Sequence, residues 1–254
     1  MNILVCLKTV PATTEVAVDG SFRLCRDGVK LQYNIADEAA LEHALELRSS
    51  GDTVTVLTMG PKKVEGSLQE LLARGADRVV LLSDPTLGGA DTYATALALT
   101  AAIDHIGKPD LIICGRRALD GETGQVPPMV SAMLDIPCIT DCESLEIDEG
   151  ILTACRTLEK GVATLQTPLP ALVSMREYSA ILRLPSLMSL RRAKDKNVEI
   201  LTADDLAIPP ELRGLPGSKT KVTAMTAKFP GLRKGAKETD LGKFAKTVAG
   251  EVAG

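Results

Sequence analysis

Within residues 110–128, the apolar run Leu111-Ile112-Ile113-Cys114 leads into Gly115 and a loop carrying Arg116, Arg117, Asp120, Thr123 and Gln125, with Gly121 and Gly124 among them. The run reads as a buried strand of a parallel sheet. A helical pattern starts near Gly124 and continues to about Leu134. A strand, a glycine-bearing loop and a helix start together suit one task, holding a phosphate or pyrophosphate. Glycines let the backbone approach an anion closely, and a helix N-terminus offers unpaired N–H groups and a favourable dipole. The spacing is neither the dinucleotide G-x-G-x-x-G nor a P-loop, which needs Gly-Lys followed by Ser or Thr. No nucleophile or metal set is recognisable, and with only His43 and His105 a histidine-based site is not expected.

The elements that must position this loop follow from periodicity. Residues 2–7 read as a buried first strand, and residues 11–34 as a long excursion whose Val16, Val18, Phe22 and Leu24 alternate like a hairpin. Residues 37–48 have a helical face of Ala40, Leu41, Ala44, Leu45 and Leu47, with Asp37 and Glu38 suited to the first turn. A strand at 53–58, a helix at 64–73 ended by Gly75, a strand at 79–82 and a helix at 91–106 stopped by Gly107 follow. Beyond Pro137 the pattern shifts to strand pairs, at 144–147, 152–157, 162–166 and 171–174. Repeated βα units predict an α/β, Rossmann-like fold: a mostly parallel sheet with right-handed crossovers, helices on both faces and antiparallel edge strands. In such sheets the ligand lies beyond the carboxyl ends of the strands. Those ends carry Cys6-Leu7-Lys8, Thr58-Met59-Gly60, residues 83–92 and residues 115–125.

The expected division is a nucleotide-binding domain over residues 1–194 and an extended C-terminal arm over 195–254. The arm repeats Pro, Gly and Lys and ends in a short helix at 241–252. It has too little apolar content for its own core, so it should lie on another chain. At 254 residues with 45% apolar content the chain has enough for a core, which must be aliphatic, because there is no Trp and only three Phe and three Tyr. Stacking platforms for single-stranded nucleic acid are therefore scarce, and the net charge of −4 argues against phosphate-backbone binding. The six Cys show no C-x-x-C spacing, and Cys6 and Cys114 fall in buried strands. No apolar run reaches membrane-spanning length, so the expectation is a soluble, cytoplasmic protein in a reducing compartment, without membrane insertion.

The stretch Gly115-Arg116-Arg117-Ala118-Leu119-Asp120-Gly121-Glu122-Thr123-Gly124-Gln125-Val126 resembles the nucleotide loop of the electron-transfer flavoprotein beta subunit. Further segments agree in the family's order: Ile3-Leu4-Val5-Cys6-Leu7-Lys8-Thr9-Val10-Pro11, Arg26-Asp27-Gly28-Val29, Thr58-Met59-Gly60-Pro61, Arg74-Gly75-Ala76-Asp77-Arg78, Gly88-Gly89-Ala90-Asp91-Thr92 and Leu169-Pro170-Ala171-Leu172-Val173. The likeness covers about the first 200 residues; the tail matches in character rather than in motif. It implies an adenine nucleotide, with Cys6, Asn34, Asp37 and Met59 on the base and ribose side and Leu7 and Gly60 as further cofactor-binding candidates. Asp120, Gly121, Thr123, Gly124 and Gln125 then form the phosphate loop, with Gly115 and Leu119 as further cofactor-binding candidates. Taken singly, each also suits an ordinary role: Asp37 as a helix cap, Gly60-Pro61 as a turn. The family usually has Pro after its asparagine, whereas this chain has Ile35.

Ordinary members of the family hold AMP as a structural ligand, and electron-bifurcating members hold a second FAD that exchanges hydride with NADH. Gly88-Gly89-Ala90-Asp91-Thr92, with Thr95 a step later, resembles the bifurcating group, as does Asp120-Gly121-Glu122-Thr123, although Gly124 and Pro127 depart from it. Thr92 and Thr95 project on one side of a helix start, where Asp91 or Thr92 also suits a cap. The resemblance thus favours FAD, with AMP as the alternative. Gly89, Asp91, Thr92 and Thr95 are further candidate contacts, and Arg116 or Arg117 a positive charge near flavin or phosphates, the other forming a salt bridge. The implied partners are the alpha (large) subunit, a flavin-dependent dehydrogenase such as an acyl-CoA dehydrogenase, and ferredoxin or flavodoxin. Leu184, Pro185, Leu187 and Met188 match the dehydrogenase-docking loop, though leucines there also suit a core. An alternative of another class is a stand-alone adenine-nucleotide-binding sensor or hydrolase.

Overall fold

A computed structural model describes residues 1–12, 29–223 and 239–252 of the chain. The hairpin expected from Val16, Val18, Phe22 and Leu24 lies outside the described residues, as does most of the Arg26-Asp27-Gly28-Val29 motif. The N-terminal half runs β1 (Asn2–Cys6), β2 (Thr9–Pro11), β3 (Leu31–Tyr33), α1 (Ile35–Leu47), β4 (Thr53–Met59), α2 (Glu65–Arg74), β5 (Arg78–Leu82), α3 (Thr92–Ile106), β6 (Leu111–Gly115) and α4 (Val126–Leu134). There follow β7 (Cys138–Cys142), β8 (Ser144–Asp148), β9 (Ile151–Leu158), β10 (Gly161–Pro168), β11 (Ala171–Met175), α5 (Leu187–Ala193), β12 (Glu199–Leu201), α6 (Gly214–Gly217) and α7 (Leu241–Val252).

Seven strands form one parallel sheet in the order β12-β5-β4-β1-β6-β11-β7. The antiparallel strands gather in sheets of their own, β10-β9-β8 and β2-β3. Burial follows from aliphatic strands that are apolar on both sides: β6 and β11 are buried at every position. Leu41, Leu45, Leu68 and Leu71 of α1 and α2 pack on one face of the sheet, together with Leu152 and Ala154 of β9. Leu99 and Ile103 of α3 and Val130 of α4 pack on the other. Strand order reverses at β1, whose neighbours are β4 on one side and β6 on the other. That reversal opens a crevice at the carboxyl ends of β1 and β6. Among the described residues no helix is long and apolar enough to cross a membrane.

Four strands were not expected from periodicity, β2 and β3, which pair at the base of the 11–34 excursion, among them. Strand β7 is mixed in character and alternates only weakly in burial, and β12 has three residues. The last of them moves the arm boundary. Strand β12 pairs with β5 at the sheet edge, and Leu201, Ala203 and Ile208 are buried in the core on the α3 side. Met1–Lys221 accordingly forms one compact unit, which takes in residues 195–221. A second unit, Val222–Gly254, contains α7, as expected for the short final helix.

A chain ending at Lys194 should therefore lose the edge strand and the burial of Leu201 and Ile208, roughly 3–6 kcal/mol in total. That is comparable with the whole margin of a typical domain, about 5–15 kcal/mol. A chain ending at Lys221 should unfold close to the full-length Tm. Thermal unfolding of both followed by circular dichroism decides it: equal midpoints would return residues 195–221 to the arm.

Candidate functional site

At the crevice, a single carboxylate joins three elements. Asp37, in the first turn of α1, accepts hydrogen bonds from the backbone N–H of Lys8 after β1 (2.7 Å) and of Gly115 at the end of β6 (3.0 Å). A side chain at Gly115 would not fit, since a Cβ there would lie 2.1 Å from Asp37 Oδ1 and 2.8 Å from the backbone carbon of Ala36. Burial pushes the Asp37 carboxyl up to about 7, against the hydrogen bonds from Lys8, Asn34 and Gly115 and the Lys8 charge, which pull it down.

Asn34 occupies the N-cap position of α1 but does not cap it with its side chain. Its amide instead grips the following loop: Nδ2 donates to the Arg117 carbonyl (2.9 Å) and Oδ1 accepts from the Leu119 N–H (3.1 Å). Ile35 stands at the first helical position, where proline would also be comfortable, and Asn34 keeps an extended backbone before it. Asn34 therefore grips the loop with Ile35, rather than proline, after it. The far side of the loop is tied by Lys8, whose Nζ reaches Asp120 Oδ1 at 2.6 Å. Lys8 was not among the expected site residues, although it follows Cys6 and Leu7 at the end of β1 in the same opening motif.

Held at these points, the 115–125 loop turns back on itself through positive φ at Glu122 and Gly124. The backbone N–H groups of Gly121, Thr123 and Gly124 make no hydrogen bond among the described residues. Unpaired N–H groups beside a turn of positive φ are the donors from which an anion-binding nest can be built. The contribution expected from the N-terminus of α4 is reduced: Pro127 and Pro128 stand in its first turn and have no N–H to offer. A second station is the start of α3. Asp91 caps it, accepting from the Ala94 N–H at 2.9 Å, and leaves the N–H groups of Thr92 and Tyr93 without partners among the described residues. Thr92 Oγ1 lies 3.0 Å from Gln125 Oε1, which joins this helix start to the loop. Gly89 precedes it at φ +75°. Thr95 follows one turn on, half-buried. Cys6 and Met59 are half-buried on this α3–α4 face of the sheet.

Besides Asn34 and Asp37, four further expected contacts have other employment. The Leu7 side chain is buried in the core on the opposite, α1–α2 face, so only its backbone borders the crevice. Asp91 Oδ2 accepts from the N–H groups of Lys219 and Thr220 (both 2.8 Å) and from Thr220 Oγ1 (2.9 Å), while its own N–H donates to Ser218 Oγ (2.9 Å). The capping role weighed for Asp91 thus holds, extended by a clasp on the end of the domain that sequence spacing did not reveal. Both arginines, rather than one, form ion pairs. Arg116 pairs with Asp141 (3.2 Å) and Glu177 (3.4 Å), and Arg117 with Glu177 (3.0 Å). Arg176 extends the network to Asp141 and Glu143, and the Arg176 hydrogen bond, outweighing burial, holds the Asp141 carboxyl below its ordinary range. The Cys114 thiol is pushed well above its ordinary value by its hydrogen bond with Cys6 and by burial, which leaves it protonated and inert.

Away from the crevice, Ile181, Leu184, Leu187 and Met188 are 87%, 84%, 81% and 64% exposed. The core alternative for these residues is thereby set aside, and only Leu182 of that cluster turns inward.

The chain is similar to known proteins along most of its length. Residues 21–206 match the electron transfer flavoprotein domain. The chain is 44% identical over 227 residues to the electron transfer flavoprotein subunit beta of Thermoanaerobacterium thermosaccharolyticum, covering 88% of this chain and 87% of that one. It is 36% identical over 255 residues to the caffeyl-CoA reductase-Etf complex subunit CarD of Acetobacterium woodii (99% and 96% covered). Protein FixA of Sinorhizobium fredii is 36% identical over 262 residues (99% and 92% covered).

The Asp37 clamp has a pH signature. The folded carboxyl keeps its proton up to about 7, whereas an unfolded one releases it near 3.8, so this group lowers stability as pH rises between those values. Asp37→Asn removes that slope. The stability of the variant relative to the native chain should climb from pH 4 to 7, by up to about 4 kcal/mol, and level off above. Denaturant unfolding of both proteins at pH 4, 5, 6 and 7 measures it, and a difference independent of pH would contradict the burial argument.

Proposed function

The chain belongs to the electron transfer flavoprotein family as a beta subunit, with an alpha subunit as its partner, and from that premise we propose that it is the FAD-binding redox subunit of a bifurcating complex. The observation that carries this reading is the joining of two candidate anion stations, the 121–124 turn and the α3 start, by the Thr92–Gln125 hydrogen bond. A monophosphate needs one such station; a pyrophosphate suits two. The residues fit the group: Gly115 and Gly124 keep the backbone close, Thr92 and Thr95 offer hydroxyls on one side of α3, and Cys6 and Met59 border the α3 side of the crevice. Bound there, FAD would supply hydride acceptance from NADH and delivery of electrons along two routes, one to ferredoxin or flavodoxin, the other through the alpha subunit towards a dehydrogenase of the acyl-CoA dehydrogenase type. The protein's part is to orient, to exclude water and to set the local charge. The likeness to a subunit of a caffeyl-CoA reductase-Etf complex supports the same direction.

Arg116 and Arg117 do not serve as free charges in this reading, because Asp141 and Glu177 balance them. Asp91 supports a second reading, in which AMP occupies the 121–124 turn alone. Its carboxylate stands at the α3 start, where it repels a phosphate unless the donors from residues 218–220 neutralise it. We assign Leu184, Leu187 and Met188, beside Pro185, to docking of the dehydrogenase. The second unit we assign to the alpha subunit: α7 carries exposed Leu241, Phe244 and Val248 at helical spacing, an apolar stripe suited to another chain.

Acid extraction of the purified heterodimer and quantification of its nucleotides tests the ligand: two FAD per heterodimer are expected, and one FAD with one AMP selects the second reading. In the two-flavin case Thr95→Val should weaken retention of the second flavin by about 1 kcal/mol, roughly fivefold. Unchanged retention would leave Thr95 as a helix residue only.

Docking is tested separately by Leu184→Ala. Burying such a side chain in a partner pocket contributes roughly 1.5–3 kcal/mol. The variant should react more slowly with the dehydrogenase while NADH still reduces its bound flavin at the native rate. Equal loss of both rates, or of neither, would reject the assignment.

A further inference from the structure

The segment between β11 and β12 carries the exposed leucines, and it is fastened to the domain at several points by α1 and α2. Glu42 of α1 is buried, and its carboxylate takes the Arg183 backbone N–H (2.9 Å), Nε (3.0 Å) and Nη2 (2.7 Å). Arg74 of α2, itself held by Glu70, donates to the Arg183 carbonyl at 2.7 Å. Arg183 is therefore gripped through its N–H, its carbonyl and its guanidinium at once. On one side of it Leu182 is buried, and on the other Leu184 projects, kept extended by Pro185. At the far end Gln69 donates to the carbonyls of Ala193 and Lys196 (both 3.1 Å), closing the last turn of α5. His43 Nε2 stands 3.2 Å from Ser179 Oγ at the near end.

A loop with four large apolar side chains in water would ordinarily collapse onto its own domain. These attachments prevent it. We propose that Glu42 is a positioning residue for partner docking: by closing on Arg183 it fixes the backbone so that Ile181 and Leu184 are presented outward in a single shape. The occupant is the flavin-dependent dehydrogenase, through an apolar pocket that admits a branched aliphatic side chain. Presenting that side chain already ordered removes the entropy that the partner would otherwise have to supply on association. The inference rests on the docking assignment of Leu184 and adds to it the residue that sets the loop's shape.

The experiment uses the purified heterodimer with an acyl-CoA dehydrogenase as acceptor and reads KM and kcat for the acceptor. Glu42→Gln keeps the volume but loses the charge and one acceptor direction. Arg183→Lys keeps the charge, loses the fork, and alters a half-exposed side chain that the fold tolerates more readily. Both variants should raise the acceptor KM about tenfold with kcat and NADH reduction of the flavin unchanged. Amide hydrogen exchange in 181–186 should accelerate while that in α1 stays native. A native KM in either folded variant, beside a raised KM in Leu184→Ala, overturns the positioning role and leaves docking intact. A native KM in Leu184→Ala itself overturns the docking assignment and the positioning role with it. Unchanged exchange in 181–186 overturns the positioning role whatever the kinetics.

Discussion

The crevice depends on one buried carboxylate. A parallel sheet leaves the chain free to diverge where strand order reverses, and here β1 and β6 part at their carboxyl ends. Asp37 holds them together by receiving an N–H from each. The contact is so close that Gly115 has no room for a side chain, and α1 must begin where it does. Burying a carboxylate is costly, and its raised pKa records that cost; the two backbone N–H groups, which would otherwise be unsatisfied beside it, offset it. The remaining contacts build outward from this clamp. Asn34, three residues earlier, grips the loop that Gly115 begins, and Lys8, whose N–H Asp37 holds, reaches Asp120 on the loop's far side.

Charge around the crevice is balanced locally rather than left open. Arg116, Arg117 and Arg176 face Asp141, Glu143 and Glu177 in one network, part-exposed. Pairs of this exposure contribute little to stability individually. Their effect is geometric: they tie the ends of β6, β7 and β11 to one another. With these arginines paired, the candidate donors to an anion among the described residues are backbone N–H groups of the loop and the start of α3. Such donors are fixed by the fold, so little reorganisation is needed when a charge arrives.

Sequence carried the frame well where the physics is local. The aliphatic runs of β1, β4, β5, β6 and β11 and the glycine stops after α2 and α3 mark elements that need no long-range information. Strand β12 escaped because three residues set among polar and proline-rich neighbours carry no period; only the open edge of β5 makes them a strand. The same cause misplaced the arm, since Pro209, Pro210, Gly214 and Gly217 read as extended linker while Leu201 and Ile208 were already anchored in the core. At the crevice, residue types were legible and partners were not. Asp37 reads equally as a cap and as a ligand contact, and its actual partners lie 29 and 78 positions away. Arg116 and Arg117 look available for an anion until Glu177 folds against them, and Leu7 shares a motif with Cys6 but points to the opposite face.

The apolar surface that folding leaves uncovered is unevenly placed, and its placement argues about the kind of protein this is. Ile181, Leu184, Leu187, Met188 and Leu190 fall within ten residues of chain, and Leu241, Phe244 and Val248 form a stripe on α7. Scattered exposed leucines need no explanation, but contiguous ones do. In the 181–190 segment the exposure is enforced: Leu182 is taken into the core while its neighbours are held out by ties to Glu42, Arg74 and Gln69. A domain built only to hold a nucleotide would gain stability by letting those side chains fold inward. The ties instead keep the cluster in water at a cost the rest of the core must offset. An arrangement of that kind is intelligible in an electron transfer flavoprotein beta subunit, which works beside an alpha subunit, so that surface offered to another chain belongs to the working structure as much as the crevice does.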